Sequence, residues 1–218
     1  MNSRAVRIPC DAGHLDGDLA TPDGATGLVI FAHGSGSSRF SARNRAVVAS
    51  LHRHRFATLL LDLLTPGEEA RDMVTRSIRF DIPLLAGRLV AVIDHMHADP
   101  AVRLPIGLFG ASTGAAAALA AAARRPDMVH AVVSRGGRPD LAGAELSLVR
   151  AATLLIVGGL DADVLSLNRD AMARIDSPTR LEVVPGATHL FEEPGTLEEV
   201  ARLAGDWFAD HLAHALRP

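Results

Sequence analysis

The sequence predicts an α/β fold in which helices cover both faces of a mostly parallel sheet. Three observations lead there. Short continuous apolar runs recur along the chain, as strands buried on both faces require. Segments with helical periodicity fall between those runs. The chain opens on two alternating segments joined by a tight turn, which read as a hairpin solvated on one face. One hairpin followed by repeated strand–helix alternation is the pattern of a mostly parallel sheet between helical layers.

The elements follow in order. Val6 to Cys10 and Leu15 to Leu19 form the hairpin, with Asp11-Ala12-Gly13 as its turn. Leu28 to Ala32, Ala57 to Leu61, Leu104 to Phe109, Val129 to Val133, Leu154 to Val157 and Leu181 to Val184 are the buried strands. A helix is expected from about Arg43 to His54. Another starts near Asp81, with Pro83 in its first turn, where the missing N–H costs little. Its apolar face is Ile82, Leu85, Leu89, Val92, Ile93 and Met96. Further helices are expected from Ser112 to Arg125, from Val164 to Ile175 and from Thr196 to Leu216. The last opens on Thr196-Leu197-Glu198-Glu199, a capping-box pattern. The charged, weakly periodic segment from Thr65 to Phe80 reads as a surface connection or a short extra helix bordering the site. A short helix is expected around Leu146 to Arg150.

Composition narrows the function. The chain has 218 residues, 48% apolar and 22% charged, with a formal net charge of −3. That length suits one α/β domain spanning 1–218. The small negative charge gives no footprint for nucleic acid or an anionic membrane surface. Cys10 is the sole cysteine, which excludes an internal disulfide and a cysteine metal cluster. His52 with His54, and His95 with His97, are two apart on expected helices, so neither pair shares a face for metal binding. His211 and His214 are three apart near a helix end, where they suit the dipole better than a metal. No metal and no cofactor are expected. The first residues hold no apolar core for a signal peptide, and the apolar stretch Gly114 to Ala123 is too short to span a bilayer. A cytoplasmic protein is expected.

The motif that carries chemistry is Gly110-Ala111-Ser112-Thr113-Gly114. It lies between an expected buried strand and an Ala-rich helix. A serine on a sharp strand-to-helix turn is exposed as a nucleophile at the top of a sheet. The glycines allow the tight turn and the close approach of helix to strand. The partners follow in the order nucleophile, acid, histidine. Asp161 comes just after the strand Leu154 to Val157 and Gly158-Gly159, and His189 lies in the loop after the strand Leu181 to Val184. Both fall past the carboxyl ends of strands, where open α/β sheets place their sites. Asp163 is the rival acid, and Asp161 is preferred because it is nearer the strand end. The backbone N–H of Thr113 is the first expected oxyanion donor. The second comes from the loop His33-Gly34-Ser35-Gly36-Ser37-Ser38, with Ser35 preferred and Gly34 or Gly36 as alternatives. Arg135 follows a strand to the same edge. It either binds a substrate carboxylate or anchors its loop on a carboxylate such as Asp62 or Asp140.

Together, His33-Gly34-Ser35-Gly36, Gly110-Ala111-Ser112-Thr113-Gly114, Asp161 and Ala187-Thr188-His189-Leu190-Phe191 resemble the α/β-hydrolase superfamily. In detail they resemble its small, capless dienelactone hydrolase-like branch. The resemblance covers nearly the whole chain. It implies an eight-stranded sheet with strand two antiparallel, no lid domain, and hydrolysis of small carboxylic esters. One departure stands out. Dienelactone hydrolases use cysteine as nucleophile, and this chain has Ser112, which favours a plain carboxylesterase. A thioesterase or lactone hydrolase would use the same residues, and a non-catalytic interaction module would share the fold. Some relatives of this type resemble fusions to a phosphoribosyltransferase, which makes such a domain an expected functional associate. A homo-oligomer is left open.

Overall fold

The computed structural model describes residues 1–212; the expected helical residues up to Leu216, and His214 with them, lie outside the described part. Eight strands form one sheet: β1 (Asn2–Cys10), β2 (Gly13–Thr21), β3 (Gly27–Ala32), β4 (Phe56–Leu61), β5 (Ile106–Ala111), β6 (Val129–Arg135), β7 (Ala152–Gly158) and β8 (Thr179–Val184). Their order across the sheet is β1-β2-β4-β3-β5-β6-β7-β8. Only β2 runs against its neighbours, pairing antiparallel with β1 and with β4. The remaining pairs are parallel.

The helices are α1 (Ala42–Arg53), α2 (Pro66–Thr75), α3 (Ile82–Ala98), α4 (Thr113–Arg124), α5 (Ala162–Met172) and α6 (Thr196–Leu212). Strands β3, β4, β5 and β7 are buried at every position, which is why their sequences are apolar runs without alternation. Two cores result. One lies under α3 and α4, where Leu85, Leu89, Val92, Ile93 and Met96 meet the alanines of α4. The other lies under α1 and α6 around Phe31, Phe109, Phe191 and Phe208. The alanine run lets α4 sit close to the sheet: Ala115 to Ala122 are all fully buried. No helix among the described residues is long and apolar enough to cross a membrane.

Four local expectations are corrected. Strand β5 continues through Gly110 and Ala111, so α4 begins at Thr113 and Ser112 stands between them. The short helix between β6 and β7 is a 3₁₀ helix at Pro139–Leu148, kinked at Gly143, not a helix at Leu146 to Arg150. Helix α5 starts at Ala162, two residues early, which puts Asp161 at its N-cap. The capping pattern at Thr196 is not used as such. The Thr196 hydroxyl donates to the Glu193 carbonyl at 2.7 Å, and the Glu199 N–H donates to Gly195 instead. A full capping box forms at α2, between Thr65 and Glu68. The Thr65 to Phe80 segment is therefore ordered, as α2 and a 3₁₀ turn at Ile78–Phe80. Buried Glu68 ties it to Arg88 of α3 at 2.6 Å.

Candidate active site

Ser112 sits on the turn between β5 and α4 with φ 50° and ψ −122°. A residue with a Cβ rarely holds positive φ, and such strain clusters at functional sites. The surroundings enforce it. The Ser112 N–H donates to the Arg135 carbonyl at 3.2 Å, and the Ser112 carbonyl accepts from the N–H groups of Ala115 and Arg138, each at 3.1 Å. The flanking glycines are a packing necessity. A Cβ on Gly110 would lie 2.4 Å from the Cα of Ala115, and one on Gly114 would lie 2.3 Å from the Ala32 carbonyl oxygen. The Ser112 side chain makes no capping bond to α4. The N–H groups of the first turn thus keep their partial positive charge at the sheet edge.

Asp161 and His189 meet. His189 Nδ1 lies 2.6 Å from Asp161 Oδ2. Asp161 holds the N-cap position of α5 but makes no cap bond there, so its carboxylate is left to the imidazole. Gly158 permits the approach, since a Cβ there would lie 2.4 Å from the Ala187 carbonyl oxygen. Asp163 lies in the first turn of α5, exposed, as a dipole partner. The His189 loop is fixed at both ends. Glu193 accepts from the Thr188 hydroxyl at 2.6 Å and from its N–H at 3.1 Å. Phe191, buried and at φ 54°, anchors the far side. A neutral imidazole that donates from Nδ1 to Asp161 presents Nε2 as an acceptor. Ser112 and His189 pack on the same turn: Ser112 bonds to Arg135 and Arg138, and Gly136 between them faces His189. Among the described residues no hydrogen bond joins Ser112 Oγ to His189.

The loop after β3 crosses over Ser112. A Cβ on Gly34 would lie 3.2 Å from the Ser112 Cβ. Gly36, at φ 69°, makes the turn that Ser37 N–H closes on the Gly34 carbonyl at 3.1 Å. The Ser35 N–H does not point into open space. It donates to Thr113 Oγ1 at 3.0 Å, and the two hydroxyls lie 2.8 Å apart. His33 Nδ1 donates to the Gly34 carbonyl at 2.9 Å, and its Nε2 accepts the Leu63 N–H at 3.2 Å. Burial, above all, pushes the His33 imidazole below its ordinary range and keeps it neutral. The supporting parts played by His33 and the Thr113 hydroxyl were not read from the sequence. Their only signal was adjacency to the motif glycine and to Ser112. The 3₁₀ turn after α2 borders this loop, with the Arg79 carbonyl 3.5 Å from Ser35 Oγ.

Arg135 is buried, and its Nη1 has no partner. Neither carboxylate expected as an anchor takes that role. Asp62 pairs with Arg39, and Asp140 pairs with Arg138 at 2.7 Å. Burial first, and then the charge of Arg43, push the Arg135 guanidinium down to about 10.

No protein-family model matches the chain. Two Mycobacterium tuberculosis proteins, from strains CDC 1551 and H37Rv, are each 60% identical over 213 residues and carry the provisional name phosphoribosyl transferase. The match takes in 97% of this chain but 47% of theirs, so the chain spans about half their length. A solved dienelactone hydrolase from Anabaena variabilis is 54% identical, with a TM-score of 0.95 over 97% of this chain and 98% of its own. Est1E from Butyrivibrio proteoclasticus shares the fold at 18% identity, with a TM-score of 0.79 over 94% of this chain and 98% of its own. The fold, the strand order and the near-complete match to the Anabaena protein place this chain in the dienelactone hydrolase family of the α/β hydrolases.

Proposed function

We propose that the protein is a serine hydrolase that cleaves small carboxylic esters through an acyl-enzyme. The observation that carries this reading is the 2.6 Å pairing of His189 Nδ1 with Asp161, on the same sheet edge as a strained, glycine-flanked Ser112. In this reading Ser112 Oγ attacks the ester carbonyl and gives its proton to His189 Nε2. Asp161 holds the imidazole in the tautomer that can accept that proton. The Thr113 N–H, and the Ser35 N–H released from Thr113 Oγ1, stabilise the oxyanion. A charged oxygen is a stronger acceptor than a hydroxyl, which favours the exchange. His189 then protonates the departing alcohol, and a water activated by the same imidazole cleaves the acyl-serine.

The short connection between β6 and β7 supports small substrates. It holds only the 3₁₀ helix Pro139–Leu148, too little chain for a lid. Each methylene that stays uncovered forgoes about 0.8 kcal/mol of burial, so long acyl tails gain nothing. Thioesters and lactones would meet the same residues. The name of the mycobacterial relatives is best assigned to the half of them that this chain does not match. Functional association with a phosphoribosyltransferase domain is proposed on that ground alone. A screen over p-nitrophenyl esters of graded acyl length, with thioesters, lactones and amides alongside, tests the reading. Turnover peaking at short acyl chains supports it. A kcat/KM that climbs steadily from acetyl to palmitoyl, or no turnover of any ester, contradicts it.

A further inference from the structure

We propose that Asn168 is a positioning residue for the nucleophile: its side-chain amide orients the peptide that holds the Ser112 carbonyl, and it does so from the helix that carries Asp161. The proposal rests on the hydrolase reading for what Ser112 does, but the clamp stands on its own hydrogen bonds. Asn168 lies in the middle of α5, fully buried, on the inward face with Val164 and Ala171. Asparagine is a mediocre helix former and is mostly exposed in folded proteins. Here both amide hydrogens are used. Nδ2 donates to the Val164 carbonyl at 2.7 Å, one turn back on its own helix, and to the Gly137 carbonyl at 3.0 Å, on the turn after β6. Oδ1 is buried with no partner among the described residues. A buried acceptor left unpaired costs stability, and an apolar side chain on this face of α5 would avoid that cost. What the asparagine adds is the bond to Gly137.

That bond reaches the nucleophile through one peptide plane. The Gly137 carbonyl and the Arg138 N–H belong to the same planar unit and point opposite ways. The Arg138 N–H donates to the Ser112 carbonyl at 3.1 Å. The other backbone group of Ser112 is held in the same manner. Its N–H donates to the Arg135 carbonyl at 3.2 Å, and the far end of that peptide, the Gly136 N–H, donates to the Ile156 carbonyl of β7 at 2.8 Å. Two peptides of one turn thus grip Ser112 on both sides. The backbone of β7 fixes the far end of the first, and the Asn168 side chain fixes the far end of the second. The turn has no slack, since a Cβ on Gly137 would collide with Ser134 Oγ and with the Ala115 Cβ. Ser112 keeps its φ of 50° only while its surroundings over-determine it, and hydrogen bonds in series strengthen one another. Asp161, seven residues earlier, is the N-cap of the same helix and contacts His189. One helix therefore places the acid with its end and steadies the nucleophile with its middle.

The test sets Asn168→Leu, which keeps a branched side chain and removes both donors, against Val164→Ala, which loosens the same face of α5 and keeps the amide. With p-nitrophenyl acetate, Asn168→Leu is expected to lower kcat by about ten- to a hundredfold with little change in KM. Fluorophosphonate labelling of Ser112 is expected to slow by the same factor. Val164→Ala is expected to lose stability and keep kcat. An unchanged kcat in Asn168→Leu, or an equal fall in both variants, overturns the proposal. The backbone carbon shifts of Ser112, which report its φ, are expected to move in Asn168→Leu and to stay in Val164→Ala. Unmoved shifts in Asn168→Leu also overturn it. If wild type cleaves no ester and takes no fluorophosphonate, the hydrolase reading has failed separately, and the Ser112 shifts alone judge the clamp. Should Asn168→Leu fail to fold, Asn168→Ala removes the same donors without added bulk and is read by the same measurements.

Discussion

The backbone N–H of Ser35 donates to the side-chain oxygen of Thr113, tying the loop after β3 to the first residue of α4. One hydroxyl thus holds together the two segments that would supply the oxyanion donors. Thr113→Val keeps the shape and removes that hydroxyl, leaving the Ser35 N–H without its partner. Chemical unfolding should show a loss of about 1–2 kcal/mol. Ester kinetics should show a lower kcat with little change in KM, and Thr113→Ser should restore both. Full activity and stability in Thr113→Val would mean that the bond has no such role.

Close packing at the turn makes a contrast between two glycines. A Cβ on Gly114 would press on two backbone carbonyls, at 2.3 Å from Ala32 and 2.4 Å from His33, neither of which can move aside. Gly114→Ala should cost about 3 kcal/mol. Gly87, on the exposed side of α3, has nothing within 4 Å. Gly87→Ala should stabilise by about 0.4–1 kcal/mol, since it reduces the freedom of the unfolded chain. Thermal melts of the two variants should move in opposite directions.

These residues also show what the sequence made legible. The strands themselves are legible as apolar runs and hairpin alternation, because burial on both faces leaves a plain mark on composition, whereas their order across the sheet is not. The motif glycines and Ser112 are legible because positive φ and close approach allow few residue types. The Asp161–His189 contact brings together residues far apart in the chain, and only their position after successive strands hinted at it. Helix ends were less legible. Thr196 and Thr65 both begin capping-box patterns, but the Thr196 hydroxyl turns back to the Glu193 carbonyl, while Thr65 closes its box with Glu68. The isolation of Arg135 was hidden too. Asp62 and Asp140 are equally plausible partners in sequence, but Arg39 and Arg138 reach them first.

The choice of acid has a direct test. Asp161 contacts His189, while Asp163 lies in the exposed first turn of α5. Asp161→Asn should lower kcat by about a thousandfold or more, because the amide favours the wrong imidazole tautomer. Asp163→Asn should change activity little. The reverse pattern would move the acid to Asp163.

Partly buried histidines give the protein an acid-sensitive stability. His33, His52 and His130 are all held below the ordinary value of 6.5, with burial as the largest cause. In the unfolded chain each takes up a proton as pH falls below that value, while the folded state resists. The stability they contribute is therefore complete above about pH 6.5 and is lost as pH falls through their folded values. Protonated His33 also loses the Nε2 acceptor for the Leu63 N–H, which loosens the loop that carries Ser35. Urea unfolding at pH 7.5 and pH 5.5 should give a lower stability at the acid value. Equal or higher stability at pH 5.5 would contradict this.

The central claim is that Ser112 forms a covalent acyl-enzyme, and intact-protein mass spectrometry after treatment with a fluorophosphonate tests it most directly. Wild type should gain a single adduct that maps to the peptide containing Ser112. Ser112→Ala should gain none, and its kcat should fall by about four orders of magnitude while the fold is kept. An unlabelled wild type, an adduct on another residue, or normal ester turnover in Ser112→Ala would contradict the account.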